Sequence, residues 1–266
     1  MRVLTVYAHN NPRSFCHGVL DRFSAGLADA GHENQVLDLY AMNFDPVLRD
    51  RDTPSWTNGN IPEDIADLHD VRGQVLRTFR NPLQRWLVNR AIRGKSQAEI
   101  CGMLRTRMPK DVLAMHEKIK WADGLAFIAP IHFCSFPAML KGWIDRVWCY
   151  DFAFGLTSAG WHGDVNGRIP LLHHKRALIM TSTIFNKAAY DDGIRDAIGK
   201  VMDEWGFRYP GIEDVEHVYF YAATSATPEL VQRYFQQAYE LGREFALPAA
   251  DRTAESAPPA ATPPAA

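Results

Sequence analysis

Three short polar stretches, each following an apolar run, carry the groups best placed for chemistry. The first is His9 to Phe15, HNNPRSF, which offers an imidazole, the Arg13 cation and the Ser14 hydroxyl. Asn10 and Asn11 suit turn geometry. A helical pattern with Leu20, Phe23 and Leu27 follows. The first N–H groups of a helix have no partner inside it, and its dipole favours negative charge, so this stretch is suited to a phosphate. The second is Pro130–Phe136, and the third is Thr181-Ser182-Thr183-Ile184, with its run of hydroxyls. No G-x-G-x-x-G accompanies the first strand, which disfavours a dinucleotide-binding Rossmann domain. No G-x-S-x-G elbow supports acyl transfer. The four cysteines, Cys16, Cys101, Cys134 and Cys149, show neither metal-ligand spacing nor a C-x-x-C pair, so no metal site is expected. Cys134 has no base at a telling spacing and reads as a loop residue.

Each stretch is placed by the elements around it. Val3–Tyr7 reads as a strand before the first loop, and Asn34–Leu39 as a second strand. Asp111–Asp123 is an amphipathic helix with Val112, Met115, Ile119 and Ala122 as its buried stripe. Leu125–Ala129 is a short apolar run ending at Pro130, as a fully buried parallel strand reads. Pro137 suits the first turn of the next helix, which runs through Ala138, Leu140, Trp143, Ile144 and Val147. Ala177–Thr181 is a further strand, Ile194–Trp205 a helix and Val218–Ala222 the last strand. Pro228–Phe245 is the final helix, with Thr227 as its N-cap. Strand–helix alternation with loops at 9–15, 130–136 and 181–184 describes an α/β, doubly wound parallel sheet with helices on both faces. Ligands bind such sheets at the carboxyl ends of the strands.

Composition narrows the class. The chain has 266 residues, 47% hydrophobic and 23% charged, with a net charge of -2. These are values of a soluble globular protein and argue against general nucleic-acid binding. No apolar run approaches the ~20 residues of a membrane helix. The chain opens directly on MRVLTVYA, without a secretory leader pattern, and free thiols suit a cytoplasmic protein. From Pro248 to Ala266 the composition turns to Ala, Pro, Ser and Thr, and this tail is expected to be disordered.

The stretch Pro130 to Val147, with its Pro137-Ala138-Met139-Leu140-Lys141-Gly142-Trp143-Ile144-Asp145-Arg146-Val147, resembles the signature of the flavodoxin-like NAD(P)H:quinone oxidoreductases. Ala8, His9, Ser14 and Phe15, and the run Asp38 to Pro46, DLYAMNFDP, resemble the same family. The resemblance covers roughly 1–50 and 111–245. It implies a flavin, FMN or FAD, held by His9, Arg13, Ser14 and Phe15 and by Pro130, Ile131, His132, Phe133 and Cys134. Thr181, Ser182 and Thr183 complete the set. It further implies NAD(P)H as co-substrate, hydride transfer through flavin N5 and a ping-pong passage of two electrons to a quinone or similar aromatic acceptor. Backbone N–H groups near Phe133 and Cys134 and the Thr181 and Ser182 hydroxyls are the expected donors to the flavin. Tyr190 lies near a family tyrosine and is the expected donor to the acceptor. Arg195 and Asp196 fall near a family histidine, whose role transfers to neither. Phe154 and Leu156 stand where family members often carry tyrosines beside the substrate, which predicts a more apolar pocket. Thr183 and Ile184 replace two family glycines, which predicts a different fit at the ring edge. A homodimer is also implied.

Residues 51–110 lie outside the resemblance and read as a mainly helical insertion in a domain spanning 1–247. Over 71–110 ten basic residues face one acid, Glu99, a local net charge of +9. Leu83, Trp86, Leu87 and Ile92 fall close to one helical face. The segment reads as a lid or dimer-interface face, a site for an anionic nucleotide or substrate, or a surface for a membrane or acidic partner. A second functional reading is therefore an ancillary regulatory subunit of a membrane ion-efflux system, docked through the insertion. A third is a reductase of azo or nitro-aromatic acceptors.

Overall fold

The structure is a computed structural model and describes residues 1–49, 52, 62–68, 70–103, 108–133 and 135–247. The expected disordered tail at 248–266, Cys134, and Arg105 and Arg107 of the basic run lie outside the described residues. In chain order the elements are β1 (Arg2–Tyr7), α1 (Phe15–Asp29), β2 (Glu33–Asp38), α2 (Glu63–Leu68), α3 (Val71–Thr78), α4 (Pro82–Ala91), α5 (Gln97–Met103), α6 (Lys110–Trp121), β3 (Gly124–Pro130), α7 (Ala138–Val147), β4 (Phe154–Leu156), α8 (Ser158–Trp161), β5 (Arg168–Pro170), β6 (Ala177–Ser182), α9 (Lys187–Asp191), α10 (Ile194–Ile198), β7 (Val215–Phe220) and α11 (Pro228–Arg243). They form two compact units. The first comprises Met1–Pro46, Glu117–Ile144 and the described residues from His173 on. The second comprises the described residues of 47–116 together with Asp145–Leu172.

The first unit is built on a five-stranded sheet of order β2-β1-β3-β6-β7, every pairing parallel. β3 is buried at every residue, as its unbroken apolar run requires when both neighbours pair with it. β2 and β7, at the two edges, are only partly buried. On one face α1 and α11 pack over Val3, Ala126, Ile128, Leu178 and Met180 through Phe23, Leu27, Tyr234 and Leu241. They approach closely because Gly26 and Gly242 meet each other's helix. A Cβ on Gly26 would lie 2.0 Å from the Tyr239 carbonyl oxygen, and one on Gly242 would lie 2.2 Å from that of Phe23. On the other face Phe127 meets the rings of Trp143 and Phe207, centroids 6.0 and 4.8 Å away. The doubly wound parallel sheet expected from the sequence is thus observed.

Element ends differ from the sequence reading mostly by one or two residues, as helix and strand ends do. Pro137 stands just before α7 rather than in its first turn, and its carbonyl accepts the Lys141 N–H at 2.9 Å. The last strand is Val215–Phe220, not Val218–Ala222. The chain leaves extended geometry at Ala222, where φ is 50° and the N–H turns to the Phe185 carbonyl. The helix expected over Ile194–Trp205 is α10 followed by a wider π-helical segment, Gly199–Arg208. Met202 and Phe207, five residues apart, are both buried there. The i→i−5 bond from the Tyr209 N–H to the Glu204 carbonyl fits that wider winding. Cys149–Pro170 holds the antiparallel pair β4–β5 and α8.

In the second unit Val71, Ile92 and Ile100 form a small core with Val75, Leu76 and Val88 packed on it. Ile92 is therefore separated from Leu83, Trp86 and Leu87, which stay exposed, because α4 ends at Ala91. A second cluster joins Ile65 and Tyr150 with Phe154, Leu156 and Trp161. A buried guanidinium closes the unit. Arg146 Nη2 donates to Asp52 at 3.0 Å and Nη1 to Asp111 at 2.7 Å. The side chains of Arg146 and Asp52 are wholly buried, while that of Asp111 is half exposed. Burial pushes the Asp111 carboxyl up, but the Arg146 guanidinium outweighs it and leaves the group below its ordinary value.

Arg146→Met strands the Asp52 carboxylate, and urea unfolding at neutral pH should show a loss of about 3 kcal/mol. The depressed Asp111 stabilises the fold above the unfolded carboxylate pKa of about 3.9 and ceases to do so as pH falls through its lower folded value. The parent should therefore lose stability below about pH 4 more steeply than Arg146→Met does, as read from unfolding midpoints across the acid range.

Candidate functional site

The parallel order reverses at β1, whose neighbours β2 and β3 lie on opposite sides. The carboxyl ends of β1 and β3 flank this switch point, where the connecting loops diverge and leave a crevice. The loop after β1 is fixed by its own side chains. The Asn11 N–H donates to His9 Nδ1 at 3.0 Å, and the Arg13 N–H to Asn11 Oδ1 at 2.9 Å. Ser14 is the N-cap of α1, its hydroxyl accepting the His17 N–H at 3.2 Å and lying 3.3 Å from the Tyr7 hydroxyl. The 15 residues of α1 thus begin at a capped terminus whose leading N–H groups have no partner within the helix. Arg13 is exposed beside it. The Phe15 ring turns inward, 5.5 Å from Phe235 and 5.6 Å from Phe220, so Phe15 can serve a ligand only through its backbone.

The loop after β3 is a tight reversal. His132 and Ser135 exchange backbone bonds of 2.9 and 3.2 Å. Phe133 takes a left-handed φ of 47° and is fully exposed. Pro130 ends the strand, and the Ile131 N–H donates to the Ser182 carbonyl at 2.9 Å, tying this loop to the one after β6. Ser182 is tied in turn to α1, its hydroxyl lying 3.2 Å from the Cys16 thiol. The three loops expected to act together are thus joined within the first unit. His9 is held below its ordinary pKa, first by burial and then by His132 across the crevice.

The hydroxyls after β6 are not equivalent. Thr181 is buried, with its hydroxyl 2.9 Å from His217 Nε2. Thr183 is also buried and donates to the Phe185 carbonyl at 2.8 Å. Both are engaged inside the protein, and Ser182 is the half-buried hydroxyl of the three. Of the two residues in the place of family glycines, Thr183 is buried and Ile184 is exposed, as is Phe185 after it. Tyr190 is almost fully buried, its ring 5.8 Å from Tyr219 and 5.4 Å from Tyr221. Phe154 and Leu156 lie in the second unit, on β4, packed with Tyr150 and Trp161.

Several polar groups near the loops escaped the sequence reading. His217 Nδ1 lies 2.8 Å from Asp203 Oδ1 and 3.0 Å from the Tyr219 hydroxyl. A carboxylate, an imidazole and the Thr181 hydroxyl therefore form a chain that ends on β6. Burial raises the Tyr219 hydroxyl, with Asp203 adding to it. Burial likewise pushes Tyr7 up to about 12, against its bond to Ser14, and Cys16 up to about 11. Alternation along β7 could have paired His217 with Tyr219, but nothing in the sequence links either to Asp203 or Thr181.

The chain matches the model of a family described as having a flavodoxin-like fold over residues 1–241. It belongs to that family. It is 30% identical over 220 residues to a ribosyldihydronicotinamide dehydrogenase-like protein of Penicillium crustosum, covering 80% of this chain and 70% of that one. It is 30% identical over 172 residues to the human ribosyldihydronicotinamide dehydrogenase [quinone], covering 64% of this chain and 61% of that one. An NAD(P)H:quinone oxidoreductase from Methanothermobacter marburgensis superposes with a TM-score of 0.65 at 25% identity, covering 92% of this chain and 98% of that one. The resemblance seen in the sequence motifs holds, and the chain is an oxidoreductase of this family.

Cys16 is buried and its thiol titrates far above neutrality. Native protein treated with iodoacetamide near pH 8 should leave the Cys16 peptide unlabelled, while the same treatment in urea labels it, as peptide mass spectrometry would show.

Proposed function

We propose that the chain is a flavin-dependent oxidoreductase that takes two electrons from NAD(P)H, or a related dihydronicotinamide, and passes them to a quinone or similar aromatic acceptor. The observation that carries this reading is the joining of three loops at the switch point, one of them opening a capped helix. The residues present fit a flavin. The leading N–H groups of α1, the Ser14 hydroxyl and the exposed Arg13 suit its phosphate. The strapped turn at 131–133 and the chain at 182–185 offer backbone for a flat ring.

When bound, a flavin supplies two-electron transfer from the reduced nicotinamide to the acceptor, one after the other in a ping-pong sequence. The protein's part is to bind, orient and keep charge in place. His9, neutral near pH 7, orders the first loop by accepting the Asn11 N–H without adding a cation. Ser182 is half-buried, its hydroxyl 3.2 Å from the Cys16 thiol, whereas Thr181 and Thr183 are buried and engaged inside the protein, so Ser182 is our hydroxyl donor in place of those two. Tyr190, clamped edge-on by Tyr221, is our donor to the acceptor oxygen.

Purified protein should be yellow or take up added FMN or FAD, and should bleach anaerobically with NADH, NADPH or reduced nicotinamide riboside, regaining colour with a quinone. Colourless protein that takes up neither flavin would overturn the proposal. Tyr190→Phe should lower turnover about tenfold or more while flavin affinity stays unchanged. Ser14→Ala should do the reverse, weakening flavin by about tenfold at saturating-flavin turnover near the parent's.

A further inference from the structure

The helix α4 presents an apolar strip to the outside. Leu83, Trp86 and Leu87 are 64%, 56% and 52% exposed, and their spacing sets them on one side of the helix. Arg90 falls on the same side, its guanidinium 5.8 Å from the centre of the Trp86 ring. The helix is exposed around nearly its whole circumference, and only Val88 is half-buried, against the small core of the second unit. An amphipathic helix ordinarily turns its apolar side inward; here that side faces out, so it has something else to meet.

The surrounding charge says what. Among the described residues no carboxylate pairs with Arg80, Arg85, Arg90 or Arg93, whereas nearby Arg77 is matched by Asp70 at 3.5 Å. Ten basic residues against one acid over 71–110 leave a strongly positive segment in a chain of net charge -2. A second copy of the chain meeting this strip face to face would bring those cations against their own kind. The partner must therefore be both anionic and able to accept a tryptophan and two leucines. A helix standing almost clear of its unit can lie along a surface, lowering one side into an apolar layer while its arginines stay at the charged level.

We propose that α4 docks the protein on the surface of an anionic lipid bilayer, with Leu83, Trp86 and Leu87 entering the acyl boundary, Arg90 beside them meeting lipid phosphates, and Arg85 and Arg93 adding to the positive field that draws the helix to the surface. No helix among the described residues is long and apolar enough to cross a membrane, so this docking is peripheral.

The test is sedimentation of the full chain with vesicles of phosphatidylcholine alone and with vesicles in which phosphatidylglycerol replaces a quarter of the lipid. The protein should pellet with the anionic vesicles at low salt. It should be released at least about tenfold near 1 M salt, where the Debye length is only about 3 Å. Arg85→Glu with Arg90→Glu and Arg93→Glu should lose the binding, and Trp86→Ser with Leu87→Ser should weaken it at least about tenfold. Both variants should melt as the parent does. Should a variant misfold, the lipid and salt dependence of the parent decides alone. Parent protein that stays in the supernatant with anionic vesicles overturns the proposal and leaves an acidic protein as the fitting partner. Equal binding to both vesicles overturns the role of the arginines. A parent oligomer that falls apart, by light scattering, in the Trp86→Ser, Leu87→Ser variant would show that the strip meets another copy and would also overturn it.

Discussion

Burial of β3 constrains the first unit more than any other feature. Each of its seven residues is buried, so the backbone groups of Gly124–Pro130 can be satisfied only by strands on both sides. β1 and β6 supply them, in registers that set Tyr7 opposite Ile128 and Pro130 opposite Ser182. With those registers fixed, the loops after β1, β3 and β6 must leave the sheet at the same level. The ties from Ile131 to Ser182 and from Ser182 to Cys16 then hold what the sheet has already aligned. The crevice is thus a by-product of satisfying one strand, and the residues lining it are free to vary as long as the strand stays apolar.

The same logic explains why the hydroxyls after β6 divide their labour. Successive residues of a strand face opposite sides of the sheet. Thr181 turns to the side of His217 and Asp203, and Ser182 to the side of α1 and Cys16. A threonine at 181 is bonded by a histidine that is itself held by a carboxylate, which removes it from solvent but fixes the strand end rigidly. A ligand meeting the loop meets a fixed edge with one adaptable hydroxyl.

Much of this was legible in the sequence. The run from Leu125 to Val147 declared a strand–loop–helix unit, and the Thr227 cap was correctly placed because capping is local chemistry within three or four residues. The buried stripe Val112, Met115, Ile119 and Ala122 followed from helical spacing. What was not legible depends on partners far away in the chain. Thr181 is engaged by a residue 36 positions on, and Cys16 by one 166 positions on. Strands of three residues, β4 and β5, are too short to show alternation. The outward turn of Trp86 could not be read from α4 alone, because periodicity shows that a helix has a side and not which way it points.

Arg146 has a consequence for how the chain could change over time. Its guanidinium holds Asp52 and Asp111 at once, and these two acids sit at the two ends of the 51–110 segment. The ends of a long excursion are thereby stapled to one point by side chains, not by the excursion's own packing. A segment moored in this way behaves as a cassette. Its length, charge and helices can be rewritten, or borrowed from elsewhere, while the two acids keep their common mooring on Arg146. Diversity among such proteins would then collect between the two acids and stop abruptly at each of them.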